Sequence, residues 1–371
     1  MIRADASHVI GHGHIMRCLT LAESLQSHAV ITFICAELNG HLIDLVKQRG
    51  YEVIILKVSK ILDSNEIGDQ ATPYTHWLPW SENTDASLTT NAILANQQGK
   101  RQPLDWLIID HYALSKSWEL KLNKYSNKIM VIDDLTIRQH HCDLFLNQTP
   151  VQVNIEQSDI VPTDCCSLIG CQYALLRPEF RRWQNGVPKR RAGLISVKNI
   201  LIAPGGVDNQ NITLQLLKLI EEIGVDELIE IDVVLGSDAP NLATLQEYTD
   251  ERTRNIRIHS GINNIDEYMW QADIAIGAAG GTSWERCAMG LPTLLIVYAE
   301  NQKDNATVLI EHRCAKLLGD IRDYDLDEWG NTLGLAINDI DWLKLAAKNA
   351  HELCDSVGVG RVVEFLLKLS K

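Results

Sequence analysis

The sequence has no apolar run approaching the ~20 residues needed to cross a bilayer. It also lacks a basic start followed by an apolar stretch and a small-residue cleavage site, so no secretory leader is expected and the default location is the cytoplasm. Positive charge is scarce: 34 Lys and Arg stand against 48 Asp and Glu, a formal net charge of −14. A nucleic-acid partner needs a concentrated basic footprint, and that class is excluded. An anionic small ligand is not, because helix N-termini and a few positioned amides hold phosphate even in an acidic protein. Nine cysteines contain no CxxC pair, and their odd number in a cytoplasmic chain favours free thiols. No repeat of 20–50 residues and no low-complexity tract is present. What remains is a 371-residue chain, 46% hydrophobic and 22% charged, of ordinary globular composition and long enough for two domains.

Short apolar runs alternate with helix-like stretches. The first series is Trp106 to Ile109, Ile129 to Ile132 and Leu144 to Leu146; the second is Ile200 to Ala203, Ile231 to Leu235, Ile274 to Ile276 and Leu294 to Val297. Continuous rather than alternating apolarity predicts strands buried on both faces, hence parallel sheets in a doubly wound α/β fold. Between the series, residues 181–197 are polar and rich in Arg, Lys, Gly and Pro, which reads as a surface linker. The expected organisation is a domain over 1–180, the linker, a second domain over 198–355, and a closing helix over 356–371. The stretch from Lys57 to Gln102 is the least readable; a helix pair with an exposed connection is the expectation.

Gly11-His12-Gly13-His14 precedes Ile15, Leu19, Ala22 and Leu25, which share a helical face. The glycines therefore feed a helix and allow close approach of a ligand to backbone, and His14 stands on the first turn. A GxGxxG dinucleotide fingerprint is excluded, because position 16 holds Met16. The positive end of a helix disfavours imidazolium, and a neutral imidazole can take a proton from water, so His14 is a candidate general base. A histidine satisfied by local hydrogen bonds fits the spacing equally. Arg17, one turn on, faces either the loop or solvent.

Other polar groups follow strand ends, where open α/β sheets bind ligands. Asp110-His111-Tyr112 follows one strand and Asp133-Asp134 the next; the paired carboxylates admit a metal or acid–base reading, and one of them serves equally as a cap. Gly205-Gly206 closes a strand ahead of a helix, a phosphate cradle or a plain βα turn. Gly281, Thr282, Ser283 and Glu285 open a further helix; Thr282 and Glu285 have capping-box spacing, and amides there can hold phosphate while Glu285 accepts from a ribose diol. Asn301-Gln302 follows the next strand. His140-His141-Cys142-Asp143 is a run of possible zinc ligands, but adjacent residues seldom converge on one ion, and a solvated turn entering a strand is the plainer reading.

Taken in order, Arg3-x-Asp5, Gly11-x-Gly13-His14-x-x-Arg17, Ile109-Asp110-His111-Tyr112, Asp133-Asp134, His140-His141-Cys142-Asp143, Tyr173-Ala174-Leu175-Leu176-Arg177, Gly205-Gly206-x-Asp208, Ser283-x-Glu285 and Asn301-Gln302 resemble the UDP-sugar hydrolases of pseudaminic acid biosynthesis, within the glycosyltransferase-B superfamily. The resemblance spans most of the chain. It implies two Rossmann-like domains with an interdomain cleft, and release of UDP from UDP-2,4-diacetamido-2,4,6-trideoxy-β-L-altrose. It further implies that His14 is the base and Tyr112 lies beside the sugar, with Gly13, Arg17 and Asp110 in the substrate-binding set. Gly205, Gly206, Gly281, Ser283 and Glu285 would line the UDP side; Asn301 and Gln302 would face sugar or phosphates, and Arg177 would serve near the cleft. Members of the family usually have a longer strand ahead of Arg-x-Asp, so the first strand here is expected to be short.

The implied chemistry needs no cofactor and no metal. Water attacks the anomeric carbon, UDP leaves from the opposite face, and the centre inverts. The competing readings are a glycosyltransferase with a hydroxyl acceptor, a UDP-sugar 2-epimerase, a non-catalytic UDP-sugar binder, and a metal-dependent pyrophosphatase releasing UMP. No membrane partner is expected, and a monomer is the common state for this architecture.

Overall fold

The computed structural model describes residues 1–58, 73–97, 102–135, 137–150, 159–205, 208–237 and 239–370. They form two compact units, one of residues 1–175 and 357–371, the other of residues 176–356.

The first unit contains β1 (Ile2–Ala4), α1 (Gly13–Leu25), β2 (Thr32–Ala36), α2 (Ile43–Gln48), β3 (Glu52–Leu56), α3 (Glu82–Asn96), β4 (Leu104–Asp110), α4 (Lys116–Leu122), β5 (Ser126–Ile132), β6 (Leu144–Asn147) and β7 (Cys166–Ile169). Its strands are all parallel, in the order β3-β2-β1-β4-β5-β6-β7. β1 has three residues, yet its register is set on both sides: Ile2 lies opposite Phe33 and Ile108, and Ala4 opposite Asp110. α1 turns Ile15, Cys18, Leu19, Ala22 and Leu25 inward, the face that the spacing predicts. Within the expected helix pair, the described part contains a single 3-10 turn (Thr75–Trp77) and α3; residues 59–72 lie outside the described residues.

The second unit contains α5 (Val187–Ala192), β8 (Asn199–Gly205), α6 (Ile212–Glu222), β9 (Glu230–Leu235), α7 (Leu242–Asp250), β10 (Ile256–Ser260), α8 (Ile265–Gln271), β11 (Ile274–Ala278), α9 (Thr282–Ala288), β12 (Thr293–Val297), α10 (Lys303–Glu311), β13 (Ala315–Asp320), α11 (Leu326–Asn338) and α12 (Ile340–Leu353). Its parallel strands run β10-β9-β8-β11-β12-β13. The last helix, α13 (Gly358–Leu369), packs Val362, Val363 and Leu366 into the first unit's core. It docks at Gly358, where any Cβ would meet the Ala174 backbone at 2.5–2.7 Å.

Two expectations change here. Residues 181–197 are not a surface tether. They include the end of a 3-10 helix and all of α5, and Arg191 is buried, donating to the carbonyls of Met269, Ala272 and Met289. Most of the stretch stays exposed or half-buried, and its one buried charge is accommodated because the guanidinium satisfies three carbonyls at once. His140 is likewise buried rather than part of a solvated turn.

No helix among the described residues is long and apolar enough to cross a membrane, and no group of His, Cys, Asp and Glu there could hold a metal ion.

The first unit's core encloses a charged knot. Arg3 is fully buried and pairs with Asp5 (2.6 and 2.9 Å) and Asp85 (2.7 Å). Asp85 also accepts from Trp80 Nε1 (3.1 Å), Trp118 Nε1 (2.9 Å) and Thr89 Oγ1 (3.2 Å). Burial alone would neutralise these groups. Arg3 outweighs it and holds Asp5 well below the usual carboxylate range, while the two carboxylates push the guanidinium up. The knot joins β1, α3 and α4, so Arg3→Met leaves two buried carboxylates without a cation. It should lower the unfolding free energy by about 3–5 kcal/mol in urea titration; a loss below ~1 kcal/mol would show that the knot is stabilised mainly by its other bonds.

Candidate active site

In the first unit the strand order reverses between β1 and β4. The chain leaves these adjacent strands in opposite directions, so their C-terminal ends open a crevice. The loop after β1 is shaped locally. Ser7 Oγ accepts from the amides of Val9 and Ile10, Gly11 takes φ +82°, and α1 begins at Gly13. A Cβ on Gly13 would touch no protein atom, and its φ is not left-handed, so neither backbone nor packing demands a glycine there.

The loop delivers His14 to the end of β4. His14 Nδ1 lies 2.6 Å from Asp110 Oδ1, and the carboxylate is completely buried. A carboxylate only accepts, so the proton of a neutral ring sits on Nδ1 and Nε2 carries the lone pair. Arg17, one turn further along α1, donates Nε to Asp110 Oδ2 and Nη2 to Oδ1, both at 2.6 Å, and Nη1 to Asp134. Burial pushes the Asp110 carboxyl up, but Arg17 and then His14 outweigh it and keep it ionised far below its usual range.

Aromatic rings surround His14. Tyr112 meets it edge-on at 4.7 Å and Trp77 at 5.5 Å; Trp77 stacks on Tyr112 at 5.3 Å, and Tyr74 packs against both. The Tyr112 hydroxyl donates to Asp134 (3.3 Å). Burial, then Asp134, pushes that phenol well above its usual range, so Tyr112 stays protonated as wall and donor. Trp77 and Tyr74 carried no motif in the sequence. A cluster of aromatics in a polar stretch was the only available signal.

Asp133 and Asp134 divide their work. Asp134 receives Arg17 and Tyr112 and accepts from the Gln148 amide. Asp133 faces inward, capping the turn at the Leu135 amide and pairing with Arg138. It also meets His140 Nε2 at 2.9 Å, while His140 Nδ1 lies 2.7 Å from Glu119. Burial disfavours a charged ring, but Glu119 and Asp133 prevail and raise His140 to about 9. The imidazolium is a structural strut behind Asp134, not a metal ligand.

In the second unit the order reverses between β8 and β11. Gly205 ends β8 at φ +128°, a conformation that favours glycine; Gly206 lies outside the described residues. The predicted cradle at the start of α6 differs from expectation. Asp208 occupies it, accepting from the Ile212 (2.9 Å) and Thr213 (2.8 Å) amides. A carboxylate within the chain uses the amides that a phosphate would need.

At α9 the capping box is absent: Gly281 is the N-cap and no side chain caps it. Glu285 turns to Arg177, whose Nε lies 3.3 Å and Nη2 3.2 Å from Oε1. Both contacts use Oε1, and Oε2 has no bond among the described residues. Ser283 is buried, accepting from Arg286 Nη2 at 3.0 Å with its hydroxyl turned to the Ala278 carbonyl. It therefore braces the α9 start rather than offering a free hydroxyl. Gln302 uses Oε1 on the Tyr298 amide (3.0 Å) and places Nε2 beside Gly280; Asn301, next to it, is half-buried.

Comparison with known proteins follows these lines. Residues 210–330 match the glycosyltransferase family 28 C-terminal domain. The chain is 28% identical over 311 residues to UDP-2,4-diacetamido-2,4,6-trideoxy-β-L-altropyranose hydrolase of Campylobacter jejuni, covering 83% of this chain and 95% of that protein. MurG of Acinetobacter baumannii superposes with a TM-score of 0.69 at 14% identity, covering 99% and 98% of the two chains. The UDP-GlcNAc 2-epimerase of Neisseria meningitidis, solved with UDP-GlcNAc, gives 0.60 at 12% identity over 99% and 98%. The fold is the glycosyltransferase-B fold of these structures.

The His140 strut gives a pH signature. Its folded value of about 9 lies above the ~6.5 of a free histidine, so its stabilisation is complete below pH ~6.5 and is lost as pH rises through about 9. Between those limits the folded state holds one more proton than the unfolded state, and stability should fall by up to about 1.4 kcal/mol per pH unit. Denaturant titrations at several pH values check this. A His140→Gln variant should lose that slope; an unchanged slope would show that the ring is neutral.

Proposed function

We propose that the chain hydrolyses a UDP-activated sugar at its anomeric carbon and releases UDP, and that the sugar nucleotide is UDP-2,4-diacetamido-2,4,6-trideoxy-β-L-altrose, as in pseudaminic acid biosynthesis. The observation that carries the reading is the buried Arg17–Asp110–His14 chain at the β1–β4 crevice. It fixes the tautomer that leaves Nε2 as a proton acceptor. The similarity to the Campylobacter jejuni hydrolase supports the choice of substrate.

In this mechanism a water molecule donates a proton to His14 Nε2 as its oxygen bonds to the anomeric carbon. The bond from that carbon to the β-phosphate oxygen breaks, and its electron pair leaves with UDP. Attack and departure on opposite faces invert the centre. Asp110 stabilises the imidazolium that forms, as an orienting carboxylate does in hydrolytic triads, and Arg17 keeps Asp110 ionised. Gly13 leaves the approach to His14 unobstructed by a side chain, and the Tyr74, Trp77 and Tyr112 rings exclude bulk water beside it.

Nucleotide recognition is assigned to the second unit. Glu285 Oε2 accepts from the ribose diol with Oε1 held by Arg177. The pyrophosphate meets amides around Gly281, with the Gln302 and Asn301 amides beside them. Ser283 shapes this start of α9 from behind. The enzyme acts without metal or cofactor, as a cytoplasmic monomer.

His14→Ala should abolish UDP release while UDP binding, followed by calorimetry, stays within a few-fold; a variant close to full activity would sink the assignment. Asp110→Asn should lower kcat by about 10³–10⁴-fold, because an amide can present its N–H to Nδ1 and reverse the tautomer. Excess chelator should leave the rate unchanged. Product analysis separates the alternatives: UMP would indicate a pyrophosphatase, and UDP formed only with an added hydroxyl acceptor would indicate a transferase.

A further inference from the structure

One pair of reactive side chains is left unused by this chemistry. Cys142 Sγ and Cys165 Sγ lie 3.6 Å apart in the first unit. They lead into neighbouring strands of the same sheet. Cys142 stands two residues ahead of β6 and Cys165 immediately ahead of β7. The two strands are locked in parallel register, with Leu144 opposite Cys166 and the Cys166 amide donating to the Asp143 carbonyl at 2.9 Å. The register sets Cys142 one residue off from Cys165, and a strand spacing of about 4.8 Å with a rise of about 3.3 Å per residue gives a Cα separation of roughly 5.8 Å, within the ~4.4–6.8 Å that a disulfide tolerates.

The two thiols differ in access. Cys142 is buried and Cys165 is half-exposed. Their acidities differ in the same sense. The hydrogen bond shared with Cys142 Sγ favours a thiolate on Cys165 over the opposing effect of burial. That hydrogen bond, then burial, pushes Cys142 far up. The nearby charges are the carboxylates of Asp143, Asp164 and Glu119, which oppose thiolate formation and confine it to the one sulfur with a donor. A nucleophilic, reachable sulfur thus stands beside a protected resolving thiol, the arrangement that gives reversible oxidation.

We propose that Cys142 and Cys165 form a dithiol–disulfide modification site oxidised by hydrogen peroxide. The Cys165 thiolate attacks the terminal peroxide oxygen. The S–O bond forms as the O–O bond breaks; Cys165 becomes a sulfenic acid bearing the attacked oxygen and its hydrogen, and the other oxygen leaves with the electron pair as hydroxide, which one solvent proton converts to water. Cys142 sulfur then attacks Cys165 sulfur; its proton and the departing hydroxyl leave as water, and the S–S bond closes. Two thiols are oxidised by two electrons, and one peroxide is reduced to two oxygen-level products, water from each oxygen. Cys166 is adjacent but packs against the core cluster around β1 and α1, whereas Cys142 and Cys165 pack in the other cluster of the unit.

The test uses the full chain, reduced with dithiothreitol, desalted, treated with a few equivalents of hydrogen peroxide and blocked with N-ethylmaleimide. The nine thiols of the reduced chain should fall by two. Peptide mass mapping should find Cys142 joined to Cys165, and dithiothreitol should restore both. Cys142→Ser should leave Cys165 as a sulfenic acid that dimedone traps, whereas in Cys165→Ser the buried Cys142 should stay reduced. Nine alkylated thiols after peroxide, or Cys165 joined to Cys166 instead, would overturn the proposal. The wild-type map decides it alone if a variant does not fold.

Discussion

The Asp110 carboxylate is the point on which the first unit's site turns. It ends β4, the strand that lies beside β1 where the sheet order reverses, and it has no exposure to solvent. A buried anion is costly unless it is paired and fully hydrogen-bonded. Here both oxygens are occupied, by His14 on one side and by two nitrogens of Arg17 on the other. Each partner is fixed by α1, so the first turn of that helix has a single workable orientation. The imidazole tautomer follows from the same bond. Geometry, charge and proton position thus come from one acceptor.

Around it the first unit satisfies its other buried charges in discrete groups. Arg3 balances Asp5 and Asp85, and His140 stands between Glu119 and Asp133. Asp134 ties the second group to the site by accepting Arg17. The Arg3 knot also accepts Trp80, three residues beyond the Trp77 ring that leans on His14. These ion pairs offset their desolvation only approximately, so their main consequence is positional. They bind loops with no regular structure of their own to strands that have it.

The second unit solves a different problem. Of its two glycine-bearing helix starts, one is closed by its own Asp208. The other has no side-chain cap, and Arg286 and Ser283 brace it from beneath. Arg177 holds one oxygen of Glu285, which presents the carboxylate in a defined orientation. Gly277 makes this construction possible: a Cβ there would approach the Ala203 carbonyl to 2.6 Å and Arg286 to 2.9 Å.

Much of this was legible before the fold was known. Interior strands such as β5 and β12 carry continuous apolar runs, Ile129–Ile132 and Leu294–Val297, and a run of that kind reports burial on both faces. The edge strand β10 alternates Ile256-Arg257-Ile258-His259 and is only half-buried, so the same signal is missing from it. The sequence by itself determined the parallel sheets, the helix that starts at the Gly11–Gly13 turn, and the presence of His14 on its first turn, because these depend on local spacing and glycine's φ range. Only the tertiary structure decided what His14 faces. Asp110 lies 96 positions away, Trp77 has no motif, and Asp208 rather than a ligand closes α6. Which charge pairs with which is fixed by strand order, and strand order is a property of the packed sheet, not of any segment within it.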